Sequence, residues 1–383
     1  MRKIGCLLLT LCLVLGLLPL GAYAAELDVA CKSAVLMDAA TGTILYEKNA
    51  HEKLHPASVT KVMTMLLIME AIDAGKIRWD DTVTASETAA AKGGSQIYLK
   101  VGETMTVTDM LKSIAVSSAN DCACAMAEHI AGSEAAFVEK MNQRAAELGM
   151  NDTHFVNCTG LDDDPEAKAH LTSAYDIALM SRQLLTHHPK IKEFTTIWMD
   201  TVRDGTFGLA NTNKLVRFYK GCTGLKTGFT AAAGYCLSAS AQRDNLELIA
   251  VVMGSETSQA RFAACKQMLD YGFANFALVQ PDITGNDLVP VKLGNAATVK
   301  AVPAEMPQRL IDKAQLSAIH IRTELDETVT APVSKGQRIG TLTILSGEQV
   351  LAQVPMVAET SVQRLTWWQL FVRLLRRIAM AKE

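Results

Sequence analysis

Apolar and polar positions alternate through SAVLMDAATGTILYEKN, from Lys32 onward, with Thr41-Gly42 in the middle. A period of two on both sides of a Gly-containing turn predicts a β-hairpin. The period then lengthens to helical spacing over Val59 to Ala74, Thr108 to Ile114, Asn120 to Ala131 and Ala135 to Leu148, where Leu148-Gly149 closes the run. Strand signals return in GLKTGFT, AGYCLSASAQR and LELIAVVMG, the last two separated by Arg243-Asp244-Asn245, and a helix from Ser258 to Tyr271 follows. Strands, then helices, then strands predict an α+β unit in which the first and last strands form one antiparallel sheet flanking a helical cluster. The unit is expected to end near Leu278.

Beyond it, LVPVKL, ATVKAV, SAIHIRT, TVTAPV, IGTLTIL and VLAQVPMV are strand-length pieces punctuated by Gly294-Asn295, Lys335-Gly336 and Ser346-Gly347. They predict a small all-β domain over residues 279–360. The final stretch, residues 361–383, has another character. At 100° per residue, Trp367, Trp368, Leu370, Phe371, Val372, Leu374, Leu375 and Ile378 fill one arc, while Gln369, Arg373, Arg376 and Arg377 fill the other; Arg364 and Lys382 fall on the apolar side near the ends. A cationic face, boundary Trp and a broad apolar arc predict a helix lying on an anionic lipid surface. The alternative is a helix docked on the protein itself.

Composition changes this picture only at the edges. At 383 residues the chain exceeds one core, since single cores stop growing at roughly 250–300 residues. Nearly half the residues are hydrophobic and a fifth charged, as in a packed globular protein. A formal net charge of −3 argues against nucleic acid as a partner. Arg2 and Lys3 precede an apolar run that ends at Ala22-Tyr23-Ala24, the pattern of a cleavable secretory signal over residues 1–24. A retained anchor is the alternative, but an apolar run of about 17 residues is short for one. The chain is expected outside a bacterial inner membrane, held peripherally on its outer face, with a first domain over residues 25–278.

Of nine cysteines, Cys6 and Cys12 lie in the leader, and the rest are odd in number and scattered. Neither Cys122 and Cys124 nor the eight histidines fall at metal-ligand spacing, so no metal or other cofactor is expected. The cysteines read as small buried apolar residues.

The chemistry starts in HPASVTK, His55 to Lys61. A capping box would place Glu or Gln three residues after Ser58. Lys61 can only donate, yet positions i and i+3 of a helix share a face, roughly 5–6 Å apart at Cβ, which sets a hydroxyl beside an amine. S-x-x-K alone occurs about once by chance in such a chain. Farther along stand Ser118-Ala119-Asn120 at a helix start and Lys226-Thr227-Gly228 at the end of a strand signal. The three in this order, each at an element terminus, are far rarer.

With these motifs the chain resembles the penicillin-binding, active-site-serine enzymes. It is most similar to the low-molecular-mass D-alanyl-D-alanine carboxypeptidases, through ASVTK, SSANDCA, NTNKL and GLKTGFT, the leader, the small β domain and the terminal helix. The resemblance implies a penicillin-binding, β-lactamase-like fold and a serine hydrolase. It would release the terminal D-alanine of peptidoglycan stem pentapeptides and bind β-lactam antibiotics covalently. Ser58 would be the nucleophile, its backbone N–H one oxyanion donor and that of Phe229 the other. Lys61 would accept the Ser58 proton if neutral, a state that burial and the charge of Lys226 would both favour. Ser118 would relay a proton to the leaving nitrogen, and the Asn120 amide would bond both Lys61 and the substrate backbone. Thr227 would meet the substrate's carboxylate, and Gly228 would let an extended peptide pair along the strand edge. By resemblance Arg261 adds charge there; otherwise it is a surface residue of the closing helix. Thr212 stands where relatives often carry Arg, and Phe229 where some carry His, so carboxylate recognition is expected to be rearranged.

A class A β-lactamase shares the three motifs, but no E-x-x-L-N lies between Ser118 and Lys226. A DD-endopeptidase cutting cross-links, and a non-catalytic sensor of cell-wall peptides or β-lactams, remain as alternatives.

Overall fold

The computed structural model describes residues 27–279, 287–305 and 308–380, with side chains in the last helix described to Leu375. The expected leader at residues 1–24, the side chains of Arg376, Arg377 and Ile378, and Lys382 lie outside the described residues.

The opening hairpin is β1 (Ser33–Asp38) and β2 (Ile44–Lys48). It joins three strands from far along the chain, β3 (Cys222–Thr230), β4 (Gly234–Arg243) and β5 (Leu246–Ser255), in the spatial order β2-β1-β5-β4-β3, all antiparallel. β1 pairs with β5, Ala34 opposite Val252. Both faces of β5 are covered, which is why it reads as a nearly continuous apolar run. Leu248, Ala250 and Val252 pack toward one layer; Ile249, Val251 and Met253 pack toward the other.

On one face lies the helical cluster: α1 (Lys61–Asp73), α2 (Val107–Ser117), α3 (Asn120–Ala131), α4 (Glu134–Glu147) and α5 (Ala174–His187). α1 is buried around almost its whole circumference, as its apolar sequence requires. Thr106, Ser133 and Ser173 cap α2, α4 and α5 by accepting from the third backbone N–H onward. α5, which packs between α1 and the sheet, is not among the helices expected from the pattern, although Ser173 and the buried Ile177, Ala178, Met180, Ser181, Leu184 and Leu185 carry the signal. On the other face α6 (Ser258–Asn275), capped by Thr257, crosses the sheet. Gly272 permits the crossing, since a Cβ there would stand 2.5 Å from Leu248 Cδ1.

A short antiparallel pair, β6 (Phe276–Val279) with β9 (Arg309–Asp312), follows α6. The second sheet contains β7 (Leu288–Lys292), β8 (Thr298–Pro303), β10 (Ile319–Leu325), β11 (Val329–Thr330), β12 (Arg338–Ser346) and β13 (Gln349–Ala358), one for each predicted piece. Its order is β10-β12-β13-β8-β7-β11, antiparallel except for β7 with β11. Its own core holds Val289, Val299, Ile339, Leu342, Ile344 and Met356. The α+β expectation holds, and so does the all-β character of the later part. α7 (Trp367–Met380) ends the described chain.

Candidate active site

Ser58 precedes a helix as expected, but it lies within a tight turn, and the α-helix expected from Val59 starts two residues later. Ala57 to Thr60 form a 3-10 turn and the α-helix begins at Lys61. The reason is local: Ala57 is held in the left-handed region, φ 48°, directly after Pro56. The i, i+3 relation survives, and Lys61 Nζ lies 3.0 Å from Ser58 Oγ. The same nitrogen donates to the Thr159 carbonyl at 2.8 Å. Lys61 is fully buried, and burial pushes its pKa down to about 7 against weaker opposition from Cys158 and Asp121. Repulsion between Lys61 and Lys226 disfavours charge on both amines. Lys226 is itself held well below the ordinary lysine value, first by burial and then by Lys61 and Arg261.

The loop that aims Thr159 was not legible as a motif. Asn157 Oδ1 accepts from the backbone N–H of Thr159 at 3.1 Å and of Gly160 at 2.6 Å, an Asx-type turn. Gly160, at φ 82°, presses on the Ser58 turn so closely that a Cβ would overlap the Ala57 carbonyl oxygen. Behind this contact, His170 Nδ1 accepts from Val156 N–H at 3.1 Å, leaving Nε2 to donate to Thr60 Oγ1 at 2.8 Å. The N-x-x-G pattern of residues 157–160 was the available signal.

Ser118 closes α2 in the left-handed conformation, φ 63°. It is the C-cap of α2, its backbone N–H donating to the Ser113 carbonyl, and not the N-cap of α3, which is Ala119; its side chain is buried. Asn120 opens α3. Its amide does not bond Lys61 as expected: Nδ2 donates to the Gly93 carbonyl at 2.7 Å, the backbone N–H donates to the Ser95 carbonyl, and the buried Oδ1 accepts from neither Lys61 nor any other described residue. Asp121 secures the same loop by accepting from Ile97 N–H and Leu99 N–H.

β3 is the edge strand beside the Ser58 turn. A Cβ on Gly228 would lie 2.6 Å from the Pro56 oxygen and 3.1 Å from Ser58 N, so glycine brings the strand against the nucleophile. Lys226 is buried and donates to the Thr227 carbonyl at 2.9 Å. The Thr227 hydroxyl meets that of Thr212 at 2.7 Å. Phe229 is exposed and stacks on Tyr235, ring centroids 4.3 Å apart. Arg261 is buried, which excludes the surface alternative; Nη1 donates to the carbonyls of Gly228 at 2.8 Å and Cys236 at 3.3 Å, and Nε has no partner.

Ser58 and Lys61 thus meet each other, Gly228 brings the strand of Lys226 and Thr227 against them, and Arg261 holds the Gly228 carbonyl, while Ser118 and Asn120 stand at the junction of α2 and α3. Lys61, Lys226 and Arg261 bring three buried basic groups together, and among the described residues none of them is ion-paired. Such a cluster favours an incoming anion. Among the described residues no three His, Cys, Asp or Glu side chains converge as metal ligands, and all seven cysteines are free thiols.

The family model described as D-alanyl-D-alanine carboxypeptidase matches residues 21–257, and that of the penicillin-binding protein 5 C-terminal domain matches residues 277–364. The D-alanyl-D-alanine carboxypeptidase DacF of Bacillus subtilis is 44% identical over 90% of this chain and 89% of its own length. Penicillin-binding protein 5 from Haemophilus influenzae superposes with a TM-score of 0.70 at 32% identity, covering 88% of this chain and 98% of that one. The ampicillin-bound form of penicillin-binding protein D2 from Listeria monocytogenes, also 32% identical, matches with a TM-score of 0.57 over 65% of this chain and 99% of its own. The chain belongs to the D-alanyl-D-alanine carboxypeptidase family.

Proposed function

We propose that the chain removes the terminal D-alanine from peptidoglycan stem pentapeptides through an acyl-enzyme on Ser58, and that β-lactams acylate the same oxygen. The observation that carries this reading is the buried Lys61 amine, its pKa down to about 7, lying 3.0 Å from Ser58 Oγ. Neutral Lys61 takes the Ser58 proton as Oγ attacks the penultimate carbonyl. The N–H groups of Ser58 and Phe229 receive the oxyanion, in keeping with the close approach that Gly228 allows. Ser118 passes the proton to the leaving nitrogen and free D-alanine departs; water then cleaves the ester and restores Ser58. Asn120 Oδ1, free of other partners, accepts from the substrate backbone. Thr227, Thr212 and the field of Lys226 and Arg261 hold the terminal carboxylate.

Labelled penicillin should attach covalently to the wild-type chain and not to Ser58→Ala. A peptide ending Lys-D-Ala-D-Ala should release D-alanine. Labelling that survives the substitution would favour a non-catalytic sensor, and cleavage of cross-linked dimers without D-alanine release would favour an endopeptidase.

The proposed organisation is a leader at residues 1–24, a catalytic domain at 25–278, a β-rich domain at 279–360 and a membrane-association helix at 361–383, with the enzyme exported and peripheral on the outer face of the cytoplasmic membrane. In support, Trp367 and Trp368 are 75% and 64% exposed, with Phe371, Leu374 and Leu375 exposed beside them. No helix among the described residues is long and apolar enough to cross a membrane. Truncation after Ser361 should release active protein from anionic vesicles; a truncated form that still sediments with them would refute the helix's role.

A further inference from the structure

β10 is an edge strand of the second sheet, paired only with β12 among the described residues. Its other edge offers unpaired backbone groups, and His320 to Glu324 are exposed on both faces. Such an edge is a template for a further strand. Natural edges are commonly guarded by charge, and here Arg322 and Glu324 are exposed, joined to each other at 2.8 Å. Their signs do not guard against an antiparallel copy of the same strand. When two copies are centred on Thr323, Arg322 faces Glu324 twice, Ile321 faces Leu325 twice, and His320 faces Asp326 twice.

We propose that β10 pairs antiparallel with β10 of a second copy of this chain about a two-fold axis through Thr323, joining two six-stranded sheets into one. Every cross-strand pair from residue 321 to residue 325 is then charge-complementary, apolar with apolar, or Thr with Thr, the combinations that stabilise neighbouring strands. Ile321 is 43% exposed, whereas Ile319 and Leu325, on the same face, are half-buried against the core of the second sheet. Pairing would continue that core across the axis. One short strand per copy makes a small, weak interface, and a two-fold contact of this kind closes on itself without forming fibres.

Charge reversal tests the register. By symmetry Arg322→Glu or Glu324→Arg creates two like-charge pairs, and each should weaken self-association of the full chain in sedimentation by about tenfold. The double variant R322E/E324R should restore it, because every pair is again opposite in sign. Thr323→Cys should cross-link to itself under mild oxidation faster than wild type or the exposed control Glu193→Cys, since directly paired residues stand roughly 4.5–5.5 Å apart at Cα, within disulfide reach. A chain that stays monomeric and whose Thr323→Cys variant forms no cross-link overturns the proposal, as does an association that both single reversals leave unchanged.

Discussion

Lys61 Nζ donates to the carbonyl of Thr159 at 2.8 Å, a residue 98 positions away in sequence. The contact aims the amine, and burial sets its charge. With a pKa near 7 instead of 10.5, Lys61 is a competent base at neutral pH and loses that role as it becomes protonated below it. The second-order rate of acylation by penicillin should therefore rise with pH through about 7 and then level. Lys61→Arg, which keeps its proton throughout, should acylate about a thousandfold more slowly. A wild-type rate that is flat from about pH 5.5 to about pH 8.5 would remove Lys61 as the base.

The Asn157 to Gly160 turn ties that carbonyl to the nucleophile. Gly160→Ala forces a Cβ into the Ala57 oxygen from a φ of 82°. The backbone conformation alone costs about 1–2 kcal/mol for a residue with a Cβ. The clash has to be relieved by moving the Ser58 turn. The variant should show a lowered thermal midpoint and an acylation rate depressed by at least tenfold. Stability lost with the acylation rate unchanged would mean the contact is scaffolding only.

Part of this arrangement was legible because it is local. Ser58 and Lys61 announce themselves through a spacing that geometry converts directly into proximity, and the strands of the second sheet through turn residues at their ends. What the sequence hides is which distant backbone answers a side chain. Thr159 contributes a carbonyl, which every residue type has, and so does Gly93, which accepts from the Asn120 side-chain N–H. The burial that lowers the pKa of both Lys61 and Lys226 is set by the assembled fold, which a pattern does not encode. For Arg261 the sequence leaves two readings open, charge at the carboxylate by resemblance or a surface residue of the closing helix, and only the assembled sheet shows its guanidinium buried and donating to the Gly228 carbonyl.

His170 is buried and neutral, its pKa lowered to about 3 by burial first and by His55, His154 and Lys61 after it. Unfolded, it returns to roughly 6.5. Between those values the unfolded chain binds the extra proton, so stability falls as the pH drops from about 6.5 toward about 3, by up to about 1.4 kcal/mol per pH unit from this group. His170→Gln should be less stable than wild type at neutral pH, through loss of the bonds to Thr60 and Val156. Its stability should then fall less steeply on acidification, so the two denaturation series converge. Parallel series would mean that His170 is not the proton acceptor.

The Thr212 and Thr227 hydroxyls, 2.7 Å apart, stand beside Lys226 on the strand that would carry the substrate, with Arg261 beneath. Two hydroxyls bonded to each other can turn their remaining proton toward an anion, and the basic groups behind them supply the field without direct contact. Thr212→Val keeps the shape and removes one hydroxyl, leaving Thr227 to find another partner. For a peptide ending in a free carboxylate, kcat/KM should fall by about tenfold, the worth of one hydrogen bond to a charged group. The same peptide with its C-terminus amidated lacks the charge that the pair would read, and its turnover, slower from the outset, should change little. Equal losses on both peptides would assign Thr212 to the folding of the strand and take it out of carboxylate recognition.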